Sequence, residues 1–367
     1  MIFVKRLFAG IAAAMLAAIL FFNMPVSAYS AQYAILLDAA TGRVLYEKAS
    51  NDRALIASTT KIMTALVVCE QCNVLDRVRI PHEAAGVEGS SMYLQEGEIL
   101  TVQELLYGMM LHSGNDAATA LAIYCGGTVE GFAQLMNDKA HRLGLTNSHF
   151  ENPHGLDSPG HYSSAKDLAV LAAYAMMNPI FRMTVSTKQL KIGHRALRNH
   201  NKLLWRFDGA DGVKTGYTKA AGRILVSSAV RDGRRLVAVT INDPDDWKDH
   251  CCLLDNGFSK FKHVDLIKKG TLVGYTEVAG GVSGQVELLA AEDFSYALAD
   301  DESVSFQRQG CGFVYAPVAA DQSAGLLYVL IDGKAVGKVP LIFGDTVEQI
   351  RPKEPTIWQR LFGRKSK

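Results

Sequence analysis

This 367-residue chain has no surplus of either charge: 38 lysines and arginines stand against 37 aspartates and glutamates, a formal net charge of +1. A phosphate backbone is held by clustered cations that release its counterions, so nucleic-acid binding is excluded as an expectation. Cysteine is scarce, six residues in all. Cys69 and Cys72 form one C-x-x-C, but no second C-x-x-C completes a zinc site and no βαβ pattern surrounds the pair. Buried thiols or a local disulfide at a helix end are the expected reading, and no metal or other cofactor is expected. Internal repeats and low-complexity tracts are also missing, which excludes a solenoid or a disordered chain. What remains is ordinary globular composition, 49% hydrophobic and 20% charged, at a length that favours two domains.

The first residues have the order of an export signal. Lys5 and Arg6 precede an uncharged apolar run from Leu7 to Phe22, and Val26-Ser27-Ala28 supplies a small-x-small cleavage site. Cleavage after Ala28 is expected, with a retained anchor as the alternative. Either places the folded part outside the cytoplasm.

Tyr33–Asp38 and Val44–Lys48 are β-rich runs joined by a glycine-containing turn. Ser58 opens a segment apolar on every face, the pattern of a buried helix. Thr101 with Glu104 three residues on is a capping box, and that helix runs to His112, where Ser113-Gly114-Asn115 interrupts it. Asp116 to Cys125 resumes the pattern until Gly126-Gly127. Another helix starts near Ser164 and stops before Asn178-Pro179. Three strands follow, at 213–218, 224–230 and 236–241, the last two joined by an Asp-Gly turn. A helix over 247–258 returns against them. The expected fold is α+β: an antiparallel sheet flanked by helices over 29–262, then a small all-β domain over 265–350. The tail, 355–367, sets Ile357, Trp358, Leu361 and Phe362 opposite four cations, which fits an anionic membrane surface as well as a solvated end.

Three short motifs carry chemistry. In Ser58-Thr59-Thr60-Lys61 the i, i+3 spacing puts a lysine one helical turn from a serine, where it can take the hydroxyl proton if its own pKa is depressed. The motif recurs at Ser163-Ser164-Ala165-Lys166, where Ser164 and Asp167 already explain a helix start. Ser113-Gly114-Asn115 is the one S-x-N, at a helix break where a hydroxyl and an amide can face a cleft; a capping Asn is its plain structural reading. Lys214-Thr215-Gly216 lies on a strand, so Lys214 and Gly216 share one face and Thr215 the other, with twist or a bulge needed to reconcile them. Gly216 leaves room for a ligand backbone. In this order the three form the signature of penicillin-binding proteins and class A β-lactamases.

The chain therefore resembles the low-molecular-mass penicillin-binding proteins, serine-type D-alanyl-D-alanine carboxypeptidases of peptidase family S11, the DacB/DacF-like group in particular. Residues 57–65, 152–157 and 211–218 resemble family blocks, and the likeness extends from about 30 to 350. It implies a β-lactamase/transpeptidase-like domain, with peptidoglycan stem peptides as substrate and β-lactams as inhibitors. It also implies roles: Ser58 as nucleophile, Lys61 as its base, Ser113 as proton relay, and Asn115 on the substrate amide. Lys214 would supply charge that depresses Lys61, Thr215 would meet the terminal carboxylate, and Gly216 would line the site. The N–H groups of Ser58 and Tyr217 would form the oxyanion hole. His154 is an orienting candidate, although a lone loop histidine is more often structural.

Two departures narrow the reading. S-G-N replaces S-D-N, and no Glu-x-x-x-Asn deacylation motif follows, which argues against a β-lactamase. Residues 243–250 lack the arginine that some members place there and resemble Gram-positive, sporulation-linked members, which leaves a second carboxylate-binding cation unassigned. Same-fold alternatives are a D,D-endopeptidase or β-lactamase. A catalytically silent cell-wall-binding protein and a thiol oxidoreductase on Cys69 and Cys72 are the readings from other classes.

Overall fold

A computed structural model describes residues 29–351; the export signal and the amphipathic tail lie outside them. The chain divides into two compact units between Asp255 and Asn256.

In the first unit, β1 (Tyr33–Asp38) and β2 (Val44–Lys48) form the expected hairpin. A short 3-10 turn, Ala57–Thr60, leads into α1 (Lys61–Gln71), so the helix begins at the lysine and the serine sits in the turn before it. A small ribbon of β3 (Arg77–Arg79) and β4 (Ile99–Thr101) precedes α2 (Val102–Leu111). There the Thr101 hydroxyl accepts from the Glu104 N–H at 3.2 Å, while the Glu104 carboxylate accepts from the Thr101 N–H at 2.7 Å. Then come α3 (Asn115–Gly126), α4 (Val129–Arg142), α5 (Ala165–Ala175) and α6 (Pro179–Ser186). A hairpin of β5 (Gln189–Ile192) and β6 (Arg195–Arg198) leads to the short α7 (Leu203–Arg206). The unit closes with β7 (Ala210–Thr218), β8 (Gly222–Arg231), β9 (Arg234–Ile241) and the first ten residues of α8 (Asp246–Lys260), which runs across the division.

Five strands make one antiparallel sheet in the order β2-β1-β9-β8-β7, so both ends of the segment contribute and β7 is an edge. Strand alternation gives the sheet two buried faces. Ile35, Leu37, Val226, Val237 and Val239 pack with the helices in one large core. On the other face the buried His250 of α8 shares hydrogen bonds with Ser227 Oγ (2.6 Å) and Thr240 Oγ1 (3.0 Å).

Both expected helix ends are observed, and each is followed at once by a helix the sequence reading did not include. α3 does end at Gly126, with Gly127 at φ +76°, but Thr128 at once caps α4 by accepting from the Gly131 N–H. Asn178 accepts from the Ile180 and Phe181 N–H groups and Pro179 occupies N1, so this dipeptide opens α6.

The second unit is built from strands: β10 (Phe261–Ile267), β11 (Leu272–Ala279), β12 (Gln285–Ala290), β13 (Phe294–Ala299), β14 (Val304–Gln309), β15 (Phe313–Tyr315), β16 (Ser323–Ile331) and β17 (Lys334–Phe343). Six form a sheet in the order β14-β16-β17-β12-β11-β15, and β10 pairs with β13. The Asp332-Gly333 turn has both residues at positive φ, 48° and 76°, the conformation that suits a two-residue hairpin.

Candidate active site

The site forms where the turn before α1, the α2–α3 break and edge strand β7 converge. Ala57, at φ +44°, aims the turn so that Ser58 is half-buried at its mouth. Left-handed backbone at alanine is costly and persists only where the surroundings hold it. Here they do: a Cβ on Gly155 (φ +87°) would collide with the Ala57 carbonyl, so the 152–156 loop lies against the turn at a distance only glycine permits. Asn152 shapes that loop by accepting from the Gly155 N–H (2.7 Å) and donating to the Leu156 carbonyl (3.0 Å). Thr64 Oγ1 ties α1 to it through the Pro153 carbonyl at 2.6 Å.

Lys61 is wholly enclosed, with 0% exposure. Its Nζ donates to Ser58 Oγ at 3.0 Å, to Asn115 Oδ1 at 2.7 Å and to the His154 carbonyl at 2.7 Å. Burial, then the charge of Lys214, holds its pKa well below the ordinary lysine range, with Asp116 opposing. A neutral amine within hydrogen-bond reach of a serine hydroxyl is a general base.

Ser113 sits in the break between α2 and α3 at φ +63°, and its Oγ accepts from Lys214 Nζ at 3.1 Å. Lys214, 1% exposed, also donates to the Thr215 carbonyl at 2.9 Å, and burial brings its pKa down to about 7. Asn115 spends both ends of its amide inside the protein: Oδ1 accepts from Lys61, and Nδ2 donates to the Glu88 carbonyl at 2.5 Å. Asp116, which sequence reasoning passed over, accepts from the Met92 and Leu94 N–H groups (both 3.0 Å) and from Ser91 Oγ, holding the 90–94 loop at the rim.

On β7, Lys214 and Gly216 share the face toward the helices, as alternation requires. The bulge lies ahead of the motif, between Ala210 and Gly212, and the pairing from Gly212 to Thr218 is regular. The space beside Gly216 is taken by the nucleophile turn itself, because an added Cβ would press on the Ile56 carbonyl and Thr59 at 3.2–3.3 Å. Glycine is therefore needed for β7 to dock on the serine's turn, a different use from the expected room for ligand.

Ser58, Ser113, Thr215, Gly216 and Tyr217 line one cavity of about 330 Å³, with Tyr217 66% exposed at its edge. Arg223, absent from the sequence-based set, lines it too. Its side chain is 44% exposed, and its guanidinium is held at 2.7 and 2.8 Å by both oxygens of Asp246. It comes from β8, opposite Tyr217, and stands 5.9 Å from the Trp247 ring. Its signal was a cation one strand over from the motif, outside the 243–250 segment where a second cation was sought.

His154 contributes its carbonyl to Lys61. Its imidazole accepts from the Leu156 N–H and is pushed by burial, then by Lys61 and His161, down to about 3. It is a neutral structural ring at physiological pH. Cys69 and Cys72 sit at the far end of α1 from Lys61, and both are free thiols. Burial raises Cys69 to about 12 and a hydrogen bond with Cys125 raises Cys72, so neither is a ready thiolate. Among the described residues no group of three or more His, Cys, Asp or Glu is placed to hold a metal ion.

Comparison with known proteins shows the family. Residues 22–245 match the family described as D-alanyl-D-alanine carboxypeptidase, and residues 261–349 match the penicillin-binding protein 5 C-terminal domain. The D-alanyl-D-alanine carboxypeptidase DacF of Bacillus subtilis is 34% identical over 330 residues, covering 86% of this chain and 85% of the relative. The crystal structure of penicillin-binding protein 5 from Haemophilus influenzae superposes with a TM-score of 0.77 at 30% identity, covering 88% of this chain and 98% of that one. A mutant of the Streptomyces K15 DD-transpeptidase matches at TM-score 0.61 and 34% identity, over 63% of this chain and 98% of its own.

Proposed function

This chain belongs to the D-alanyl-D-alanine carboxypeptidase family of serine peptidases, and from that premise we propose how its residues carry out the reaction. It is a hydrolase that removes the terminal D-alanine from peptidoglycan stem peptides. The carrying observation is the fully buried Lys61, 3.0 Å from Ser58 Oγ and destabilised as a cation by its enclosure and by Lys214.

Neutral Lys61 takes the Ser58 proton as Oγ attacks the carbonyl of the penultimate D-alanine. The N–H groups of Ser58 and Tyr217 stabilise the oxyanion, a contribution of about 3 kcal/mol to the barrier per donor in such sites. The amide C–N bond then breaks as the proton taken by Lys61 passes to the leaving nitrogen through Ser113, which Lys214 holds in place, and Lys61 is neutral again. Water hydrolyses the Ser58 ester with Lys61 again as base. Thr215 and Arg223 meet the terminal carboxylate, Arg223 filling the place of the cation missing from 243–250. Asn115 acts through Lys61 as a positioning residue. β-Lactams acylate the same serine.

Export through the N-terminal signal and attachment to the outer face of the cytoplasmic membrane through the cationic amphipathic tail complete the proposal. Both rest on the sequence patterns alone. Intact-mass analysis after incubation with penicillin tests the centre of it. One covalent adduct is expected on the protein lacking its first 28 residues and none on Ser58→Ala. Absence of an adduct from the folded parent would favour a silent cell-wall-binding protein.

A further inference from the structure

A second cavity, of about 460 Å³, adjoins the catalytic one and shares His200 and Lys202 with it. Its other walls include His112, Arg198, Asn199 and Trp205. His112 is the C-cap of α2 and directly precedes Ser113, while Arg198 ends β6 and the chain then runs through His200 toward α7. The His200 N–H donates to the Leu111 carbonyl at 3.2 Å, which pins this stretch beside the Ser113 break. The cavity therefore lies beside the segment that leads into Ser113, and neither Lys61 nor Asn115 lines it.

Among the described residues no carboxylate lines it. Arg198 and Lys202 are both exposed, and among the described residues neither forms an ion pair. Both stand over rings: the Arg198 guanidinium is 5.3 Å from the Trp205 ring centre, and Lys202 Nζ 5.8 Å from that of Trp247. Neighbouring arginines differ, since Arg195 is paired with Glu98 and Arg223 with Asp246. Asn199 is a strut whose amide donates to the Val185 and Thr187 carbonyls at 3.1 and 3.0 Å. His112 Nδ1 is buried without a partner. Burial, then the charge of Lys214, pushes His200 down to about 4. Cations left uncompensated at the lip of a reaction cavity draw an anion to it.

The side matters as much as the charge. In the mechanism above Ser113 hands a proton to the leaving nitrogen, so the space beyond it belongs to the leaving residue. The alanine carboxylate is already met by Thr215 and Arg223. We propose that the second cavity is a leaving-group subsite for an additional carboxylate, so that the enzyme also releases D-amino acids, or peptides headed by one, that carry an acidic side chain. The chemistry is unchanged: the Ser58–acyl bond forms as the amide C–N bond breaks, the departing nitrogen is protonated, and water hydrolyses the ester.

This proposal rests on the D-alanyl-D-alanine carboxypeptidase reading, and the test separates the two. Hydrolysis by the full chain is measured on acyl-D-Ala-D-Xaa peptides with Xaa as Ala, Glu or Gln. The wild type should prefer D-Glu over its neutral isostere D-Gln by about threefold to tenfold in kcat/KM at low salt. The ratio should fall toward one as salt shortens the screening length. Arg198→Gln, which touches only the second cavity, should at least halve the ratio and leave D-Ala-D-Ala hydrolysis within about twofold. Lys202→Gln should lower the ratio in the same direction. A wild-type ratio of one, or a ratio that neither variant moves, overturns the subsite. A wild type that fails to hydrolyse D-Ala-D-Ala overturns the reading beneath it.

Discussion

Ser58–Lys61 and Ser163–Lys166 set the same two residue types at the same spacing, and they are put to different uses. In the first, the serine sits in a turn at the mouth of a cavity and its lysine turns inward, fully enclosed against Asn115 and the His154 carbonyl. In the second, Ser163 is buried in a bridge to Ala54 with its hydroxyl paired to Ser148, and Ser164 caps α5 by accepting from the Asp167 N–H at 3.1 Å. Lys166 is half-exposed. The difference teaches that spacing alone makes no nucleophile. The lysine must be stripped of water and faced by another cation before it can be a neutral base, and only the first copy has Lys214 opposite.

Paired substitutions sharpen this contrast. Ser58→Ala should lower kcat/KM on a D-Ala-D-Ala peptide by roughly 10⁴- to 10⁶-fold, while Ser163→Ala stays within about twofold per folded molecule. Comparable losses in both would erase the distinction. Lys61→Met should cost about 10²- to 10⁴-fold in penicillin acylation rate, and Lys166→Met should be silent. Stopped-flow acylation measures both.

The role of Lys214 predicts a pH profile. Acylation needs Lys61 neutral, so the rate rises with pH as Lys61 loses its proton, well below the ordinary lysine range. It also needs Lys214 charged, and that charge is lost as pH rises through about 7. The acylation rate should therefore fall about tenfold per pH unit well above that value. Lys214→Arg keeps its charge and should lose this alkaline limb, whatever its absolute rate. Persistence of the limb would assign it elsewhere. The smallest effect is expected at the second copy. Ser164→Ala removes a helix cap, costing about 1 kcal/mol and roughly 2–4 °C in Tm, with the penicillin adduct intact. A loss of adduct there would tie the second copy to catalysis after all.

Local signals read well where one residue type does one job. The Thr101–Glu104 capping box, the Ser164 cap and the Asp-Gly turns are made within a few residues, so short-range pattern sufficed. α4 and α6 were missed because Gly126-Gly127 and Asn178-Pro179 read equally well as endings. A helix stop and the next helix's start use overlapping chemistry when no loop separates them. Gly216 was read as room for ligand because strand alternation does not reveal what faces the strand. Arg223 escaped because its partner Asp246 lies 23 residues away and only sheet pairing brings it beside Tyr217.

By itself, then, the sequence determined the reaction class and the cast: a serine and a lysine one turn apart, an S-x-N, a K-T-G, in an order that random composition does not favour. What only the tertiary structure decided is the electrical state of that cast. Lys61 meets Asn115 across 54 residues, and Lys214 meets Ser113 across 101. A pKa is set by burial and by charges a few ångströms away, quantities that do not exist until the turn, the helix break and the edge strand have packed together.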